Sequence, residues 1–267
     1  MKPVSESPPT LSRDGAVATL RLNRPGRRNS LRDEDLRTLL ALIGEVNDDT
    51  RIRVLVLTGQ THGQRRPVFC AGYDVGGFDD DASASQGGSG RLPFEQVPDA
   101  LEVARPVTVC ALNGSVYGGA TDLVLACDLR VALAGSEWRM PAAALGLHYY
   151  PSGLRRYVSR LGVNLAQRLF LTGQAMGVET IDARAALFAA VAPADTFDAA
   201  VDEIVHAAAA LAPLAAESTK QSLHEMAAGQ FHWAALRERE ALTTASADFA
   251  EGRAAMAAKR PPVFTRR

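Results

Sequence analysis

Two short segments rich in small residues are the features of this sequence that bear most directly on chemistry. They are Phe-Cys-Ala-Gly-Tyr-Asp at positions 69–74 and Asn-Gly-Ser-Val-Tyr-Gly-Gly-Ala-Thr-Asp at positions 113–122. The second follows an apolar run of the kind that forms a buried strand, the first begins with apolar residues of its own, and glycine lets a backbone come close to a ligand. One backbone N–H from each segment, aimed at a common point, would form an oxyanion hole for a carbonyl oxygen. The pair therefore predicts an enzyme that acts on a thioester or a similar carbonyl compound.

The elements that would position these segments alternate between strands and helices. Apolar, β-branched runs predict strands at 16–22, 52–57, 107–112 and 129–133, while helical spacing of apolar residues predicts helices at 31–46 and 117–126. This alternation indicates the α/β class. From about residue 154 onward the chain is rich in Ala and Leu and is predicted to be almost wholly helical, with long helices at 196–211, 213–228 and 231–249.

Composition narrows the class of protein further. A chain of 267 residues with 47 % hydrophobic residues is typical of one globular domain, and a net charge of −1 gives no attraction for nucleic acid or an anionic membrane. No apolar run approaches the roughly 18 residues that span a bilayer, and residues 1–12 lack the apolar stretch of a secretory signal. Cys70, Cys110 and Cys127 have no metal-ligand spacing, which favours buried free thiols. We expect a cytoplasmic protein without a bound metal.

A polar stretch at 78–91 interrupts this pattern. It contains three consecutive aspartates, three serines and the glycines at 87, 88 and 90. Its low hydrophobicity predicts a loop without regular structure. Because the stretch comes shortly after the first glycine segment, it is either a solvated insertion or a lid over the site.

The two glycine segments, in their order and with their neighbours, resemble the enoyl-CoA hydratase/isomerase (crotonase) family. Leu-Asn-Arg-Pro at 22–25, Asn-Ser-Leu at 29–31 and Lys-Arg-Pro-Pro-Val-Phe at 259–264 extend the resemblance along nearly the whole chain. The resemblance implies a single crotonase-like α/β domain over 1–267, with a spiral core of (ββα) repeats to about 195 and a helical C-terminal trimerisation region from about 196. It also implies an acyl-CoA substrate, no cofactor beyond the coenzyme A moiety, and a homotrimer or a dimer of trimers.

The resemblance also assigns residues to the site. It implies that Ala71 and Gly119 supply the two N–H groups of the oxyanion hole, and an N–H at a helix start suits an enolate oxygen. In the family's loop that holds coenzyme A, Arg27 and Arg28 either meet phosphates or are solvated. Phe264 matches a C-terminal region that contacts coenzyme A in a neighbouring subunit. The remaining residues expected to bind substrate are Gly72, Tyr73, Asp74, Gly118 and Ala142.

The sequence departs from the family at the residues that transfer protons. Typical hydratases of the family use two glutamates, one as acid and one as base. The first corresponds to Asp122, which is one methylene shorter and is either catalytic or an acid favoured at a helix N-terminus. The second corresponds to Ala142, and two further alanines follow it. Hydration by two carboxylates is therefore not supported.

The segment at 145–153 offers other groups. Its Gly-x-x-Tyr arrangement resembles that of the family's methylmalonyl-CoA decarboxylases and places Tyr149 at their tyrosine, although this chain has Tyr73 and Met140 where that decarboxylase has histidine and threonine. His148 is either an acid or base near neutral pH or a hydrogen-bonded loop residue. Three functions remain open: a lyase or isomerase that acts through a stabilised enolate, a decarboxylase of a malonyl-type thioester, and a non-catalytic acyl-CoA-binding protein.

Overall fold

Strands and helices alternate along the chain as the sequence predicts. The structure, a computed structural model, describes residues 6–74 and 93–267. The strands are β1 (Thr10–Asp14), β2 (Val17–Leu22), β3 (Val54–Gly59), β4 (Val68–Cys70), β5 (Val107–Leu112), β6 (Ser115–Tyr117), β7 (Leu129–Leu133), β8 (Glu137–Arg139), β9 (Met176–Gly177) and β10 (Ala190–Ala192). The helices are α1 (Asp33–Asp48), α2 (Gln96–Glu102), α3 (Ala120–Ala126), α4 (Pro151–Thr172), α5 (Val178–Ala185), α6 (Phe197–Ala209), α7 (Pro213–Ala227), α8 (Trp233–Thr244) and α9 (Ala247–Ala257). The predicted loop or lid at 78–91 lies outside the described residues.

The described strands form two sheets. The larger has the order β1-β2-β3-β5-β7-β10 and is parallel except for the antiparallel pair β1–β2. Every residue of β3 is buried, as expected for a central parallel strand covered on both faces. The smaller sheet has the order β4-β6-β8-β9, in which β4, β6 and β8 are parallel. The strand predictions at 107–112 and 129–133 are confirmed at both ends.

Helices cover both faces of the larger sheet. On one face, α1 buries the apolar stripe formed by Leu36, Leu39, Ile43 and Val46 within the main core. On the other face, Val54, Val56, Val109, Ala111 and Val131 form a second apolar cluster, which α6 covers with Phe197 and Val205. The burial of apolar side chains against both faces holds the strand ends in place, and the two glycine segments follow these ends.

Three predictions about elements differ from the structure. The helix predicted at 117–126 begins only at Ala120, because 115–117 forms β6 and Gly118 then takes a φ of +57°. The helix predicted at 231–249 is two helices, α8 and α9, since the Ser246 side chain caps a new helix by accepting the Phe249 N–H. The region after 154 also contains the short strands β9 and β10.

The C-terminal segment folds back onto helices α7 and α9 and onto the start of the central strand β3. Asp248 accepts hydrogen bonds from the N–H groups of Thr265 (2.7 Å) and Arg266 (2.9 Å), and Arg266 forms an ion pair with Glu217 at 2.9 Å. Arg53, just before β3, donates to the carbonyl oxygen of Phe264 at 2.6 Å. These contacts tie the last residues to two helices and one strand of the same subunit.

Two further observations concern the chain as a whole. Cys70, Cys110 and Cys127 are buried free thiols, as predicted. Across the part of the chain that the structure describes, no single helix is long and apolar enough to cross a membrane; α6 and α7 meet the criterion only as a pair bent by 105°.

Candidate active site

The two glycine segments lie in contact with each other. Gly72 has a φ of +95°, and a Cβ built on it would lie 2.8 Å from the carbonyl oxygen of Tyr117 and 3.5 Å from the nitrogen of Gly119. Only a residue without a side chain allows this approach. The structure therefore brings together the segments that the sequence singled out, at the ends of β4 and β6.

Gly119 stands at the N-terminus of α3. It is the residue that precedes the helix, and its own N–H has no hydrogen-bond partner among residues 6–74 and 93–267. Gly118 turns the chain from β6 into the helix, with its N–H donating to the Arg139 carbonyl at 2.9 Å. An N–H group at a helix start carries partial positive charge, so Gly119 has the chemistry of an oxyanion donor.

The backbone N–H of Ala71 is not placed to act as the oxyanion-hole donor that the sequence predicted. Its N–H donates to the carbonyl oxygen of Arg28 at 2.9 Å, so the amide expected to bind the substrate oxygen is already engaged. Leu31 then donates to the Gly72 carbonyl and accepts from Asp74 N–H, in a short parallel bridge to Tyr73. In such a bridge the N–H of Tyr73 points away from Leu31.

Aromatic rings surround the glycine contact. The ring of Phe94 lies over Gly119. A Cβ added to that glycine would be 2.8 Å from two of the ring atoms. Phe94 also contacts Tyr73 edge to face (6.0 Å between centroids) and Tyr150 (6.3 Å). Tyr149 stacks on Tyr150 at 4.2 Å. The result is a largely apolar wall beside the N-terminus of α3.

Asp122 is fully buried and held by an arginine that the sequence reasoning did not select. Arg156 donates from Nε to Oδ1 at 2.8 Å and from Nη2 to Oδ2 at 2.6 Å, which is a two-point ion pair. The Tyr150 hydroxyl donates to the same Oδ2 at 2.6 Å, and the Tyr149 hydroxyl donates to that of Tyr150 at 3.0 Å. Asp122 thus connects α3 with α4 and with the aromatic wall.

Arg156 also donates hydrogen bonds to two other carboxylates. Nη1 donates to Asp99 at 2.8 Å and to Glu102 at 3.0 Å, both on α2. Burial alone would lower the pKa of Arg156, but hydrogen bonds to these carboxylates, Asp122 foremost, raise it above its ordinary value. Burial also opposes the charge on Glu102, yet Arg155 and Arg156 lower the pKa of Glu102. The guanidinium of Arg156 is therefore permanently charged.

The tyrosines of the site stay protonated near neutral pH. Burial, followed by the charge of Asp122, raises the pKa of both Tyr150 and Tyr149 well above the ordinary value. Partial burial and a hydrogen bond to Asp33 raise the pKa of Tyr73 to about 12. These phenols are donors in the neutral range and do not act as bases there.

Other predicted residues lie at varied distances from this centre. Ala142 is buried in a short 3-10 turn after Pro141, whereas His148 is exposed in the loop before α4. Asp74 forms a 3.8 Å ion pair with Arg32. The hydrogen bonds that connect Asp122, Tyr149 and Tyr150 do not include the His148 side chain.

The residues expected to meet coenzyme A lie on two surfaces. Arg28 lines an open cavity of about 1250 Å³ together with Arg65 and Arg66, and Arg27 is exposed nearby, 3.9 Å from Glu6. Phe264 is half-buried against Gly252 in the C-terminal segment. The role of these residues in binding stays a prediction. The described residues contain no cluster of three or more side chains suited to a metal ion.

Arg156 and Phe94 are the site residues that sequence reasoning missed. A signal for Arg156 was present: it falls on the buried stripe of α4, beside Gly153, Tyr157 and Leu161, where an arginine implies a buried partner. Phe94 carried no such signal, because it follows the polar stretch and belongs to no periodic pattern.

The fold and the site define an α/β protein in which a helix start and a strand end meet beside a wall of aromatic side chains. A protein-family model described as enoyl-CoA hydratase/isomerase matches residues 12–267. The chain is 31 % identical over 253 residues to the probable enoyl-CoA hydratase echA6 of Mycobacterium leprae, covering 93 % of this chain and 95 % of that one. It is 29 % identical to the 2,3-dehydroadipyl-CoA hydratase of Escherichia coli, covering 95 % and 97 %.

Solved structures agree with these sequence matches. A crystal structure of an enoyl-CoA hydratase/carnithine racemase from Magnetospirillum magneticum superposes with a TM-score of 0.89 at 28 % identity, covering 98 % of this chain and 97 % of that one. The chain belongs to the enoyl-CoA hydratase/isomerase family and has the crotonase fold.

Proposed function

We propose that this chain is an acyl-CoA thioester enzyme that acts through an enolate held in an oxyanion hole, with an acid/base set that differs from that of two-glutamate hydratases. The contact between Gly72 and Gly118–Gly119 carries the proposal, because it sets the two segments that bear the proposed donors side by side. Membership of the family supports an acyl-CoA substrate, and relatives bear the names of hydratases.

The two donors we propose are the N–H groups of Gly119 and Tyr73. Gly119 has the partial charge of a helix start, and Tyr73 directly follows Gly72, whose backbone lies against Gly118 and Gly119. Two such donors stabilise negative charge on the thioester oxygen in a site from which water is largely excluded. The aromatic wall formed by Phe94, Tyr149 and Tyr150 supports that exclusion.

Decarboxylation of a malonyl-type thioester is the second candidate, and the residues at positions 122 and 142 favour it. Asp122 is paired with Arg156, and Ala142 has no acidic group. In decarboxylation the bond between the α-carbon and the carboxylate breaks, its electrons form the enolate, CO₂ leaves and a water proton adds to the α-carbon. No carboxylate base is needed for the bond cleavage. Hydration or isomerisation, in contrast, needs a group that moves a proton.

The experiment compares turnover with binding. The purified chain is incubated with crotonyl-CoA, and hydration is measured as loss of the enoyl absorbance. In a second reaction it is incubated with a malonyl-type CoA, and decarboxylation is measured as release of CO₂. We expect turnover of one thioester and a rise in melting temperature with the same compound, since a ligand that binds only the native state stabilises it. A clear rise without turnover of either compound would favour an acyl-CoA-binding protein or an enzyme for a different acyl-CoA substrate.

The proposal also includes predictions about individual residues, cofactors, cellular location and oligomeric state. Whether Asp122 transfers a proton or holds other groups in place is open at this point, and the catalytic roles of Tyr149 and His148, the absence of a cofactor beyond coenzyme A and the cytoplasmic location stay predictions. The same holds for the homotrimer or dimer of trimers, for which the apolar surface of the C-terminal helices provides the physical support.

A further inference from the structure

We propose that Arg156 is a positioning residue of this active site, which withholds Asp122 from proton transfer and, through Asp122, fixes Tyr150 in the aromatic wall beside Gly119. The inference rests on the proposed function, because it assigns a role inside the same site. It makes the buried ion pair part of the machinery that aligns the substrate.

Both oxygens of the Asp122 carboxylate are occupied. A general acid or base must present an oxygen with which the substrate can exchange a proton. Oδ1 of Asp122 accepts from Arg156 Nε, while Oδ2 accepts from Arg156 Nη2 and from the Tyr150 hydroxyl. Both side chains of the ion pair are 0 % exposed. Neither carboxylate oxygen of Asp122 is therefore presented to a substrate.

A short series of contacts connects the ion pair to the reacting centre. The fork of Arg156 fixes the plane of the Asp122 carboxylate, and Oδ2 then fixes the hydroxyl of Tyr150. The ring of Tyr150 contacts Phe94, which lies over Gly119. The guanidinium is thus linked through three side chains to the proposed oxyanion donor.

The charges around Arg156 balance one another. Carboxylates and guanidiniums meet here in equal number among the described residues: Asp99, Glu102 and Asp122 against Arg155, Arg156 and Arg160. The charges compensate one another within the cluster. Arg156 therefore acts on the site through the geometry of its contacts with Asp122.

A double-mutant cycle tests the proposal. Arg156→Gln, Asp122→Asn and the double variant are compared for kcat and KM on whichever thioester the wild-type chain turns over. We expect each single variant to lower kcat on the order of 10²-fold with little change in KM, as a small misplacement near the reacting atoms does. We expect the double variant to recover to within about tenfold of the wild type, because two neutral amides can restore a hydrogen-bonded link to Tyr150.

Two further variants separate positioning from loss of structure. Arg155→Gln removes a neighbouring guanidinium that pairs with Glu102 but does not touch Asp122, and we expect its kcat to stay within about twofold of the wild type. Arg156→Lys keeps the charge without the fork, so we expect it to fold and to show an intermediate kcat. This variant keeps the test decisive if Arg156→Gln fails to fold.

The outcomes distinguish the two proposals. If the double variant is as inactive as Asp122→Asn, or if Arg156→Lys has a wild-type kcat, Asp122 acts by itself and the positioning role is wrong. If the wild-type chain turns over neither thioester, the proposed function fails and the positioning role with it. Recovery in the double variant, with Arg155→Gln unaffected, supports the inference.

Discussion

At the scale of the residue, Gly72 shows how one position without a side chain makes the site. Its φ of +95° is unfavourable for other residues, and the Tyr117 carbonyl occupies the place where a Cβ would lie. Both constraints come from backbone atoms, which cannot move aside as the end of a flexible side chain can. The close approach of β4 to β6 therefore depends on this residue.

We expect Gly72→Ala to lower the free energy of unfolding by roughly 1–3 kcal/mol, as a strained backbone and a tight contact do. Urea denaturation measures the change. Gly44→Ala is the matched control: Gly44 lies within α1, and a Cβ added there would meet nothing within 4 Å, so alanine should stabilise the helix by about 0.5–1 kcal/mol. Equal stability of Gly72→Ala and the wild type would contradict the expected strain.

The sequence was sufficient to select the contacting glycines but not the ion pair behind them. Gly72 and Gly119 were identifiable because their chemistry depends on their own residue type and local neighbours. The pairing of Asp122 with Arg156 joins residues from α3 and α4, and the engagement of Ala71 N–H depends on Arg28 in another loop. Such tertiary partners leave no local pattern, so Ala71 was assigned a role that its hydrogen bond opposes.

At the scale of the element, one buried asparagine connects the loop before α1 to two strands. The side-chain amide of Asn29 donates to the carbonyl oxygens of Gln60 (3.0 Å), Val68 (3.2 Å) and Phe69 (3.0 Å), and its oxygen accepts from Arg24 N–H at 3.0 Å. Asn29 also has a φ of +53°, which asparagine tolerates better than most residues. The loop that carries Arg27 and Arg28 is thereby fixed beside β4.

We expect Asn29→Ala to destabilise the protein by about 2–3 kcal/mol, because several buried carbonyl groups lose a donor at once. The midpoint of urea unfolding reports this change. Asn23→Ala serves as the control, since Asn23 is half-buried and its side chain donates to Ser7 at 2.7 Å; its effect should stay near 1 kcal/mol, that is, about one hydrogen bond. A similar loss in both variants would mean that Asn29 does not connect these elements.

The long elements were predictable from the sequence, and the short ones were not. The strands at 107–112 and 129–133 were confirmed because a six- or five-residue buried run is a recognisable pattern. β4, β6 and β8 have three residues each, too few to show alternation or a buried run. These short strands carry the site, so the structure was needed to show how the glycine segments meet.

At the scale of the whole molecule, the C-terminal helices expose more apolar surface than a lone subunit would be expected to carry. Among the described residues, α8 has no buried position within this chain. The large apolar side chains exposed on α7, α8 and α9 are Leu223, Met226, Trp233, Leu242, Phe249 and Met256. Apolar residues clustered in one region indicate an interface with another chain. Closed symmetric assemblies of identical chains cover such a surface.

The resemblance to the family implies a homotrimer or a dimer of trimers, and with this apolar surface as physical support we expect that assembly at micromolar concentration. Light scattering coupled to size exclusion should give three or six times the protomer mass of 28.4 kDa. Leu242→Glu, which places a charge among the exposed apolar residues of α8, should shift the assembly toward the monomer because a buried unpaired charge is unfavourable. Leu171→Glu, on an exposed position of α4 outside these helices, is the control and should leave the mass unchanged. A monomeric wild-type chain would contradict the prediction, and the apolar residues of α7–α9 would then be an exposed surface of the isolated subunit.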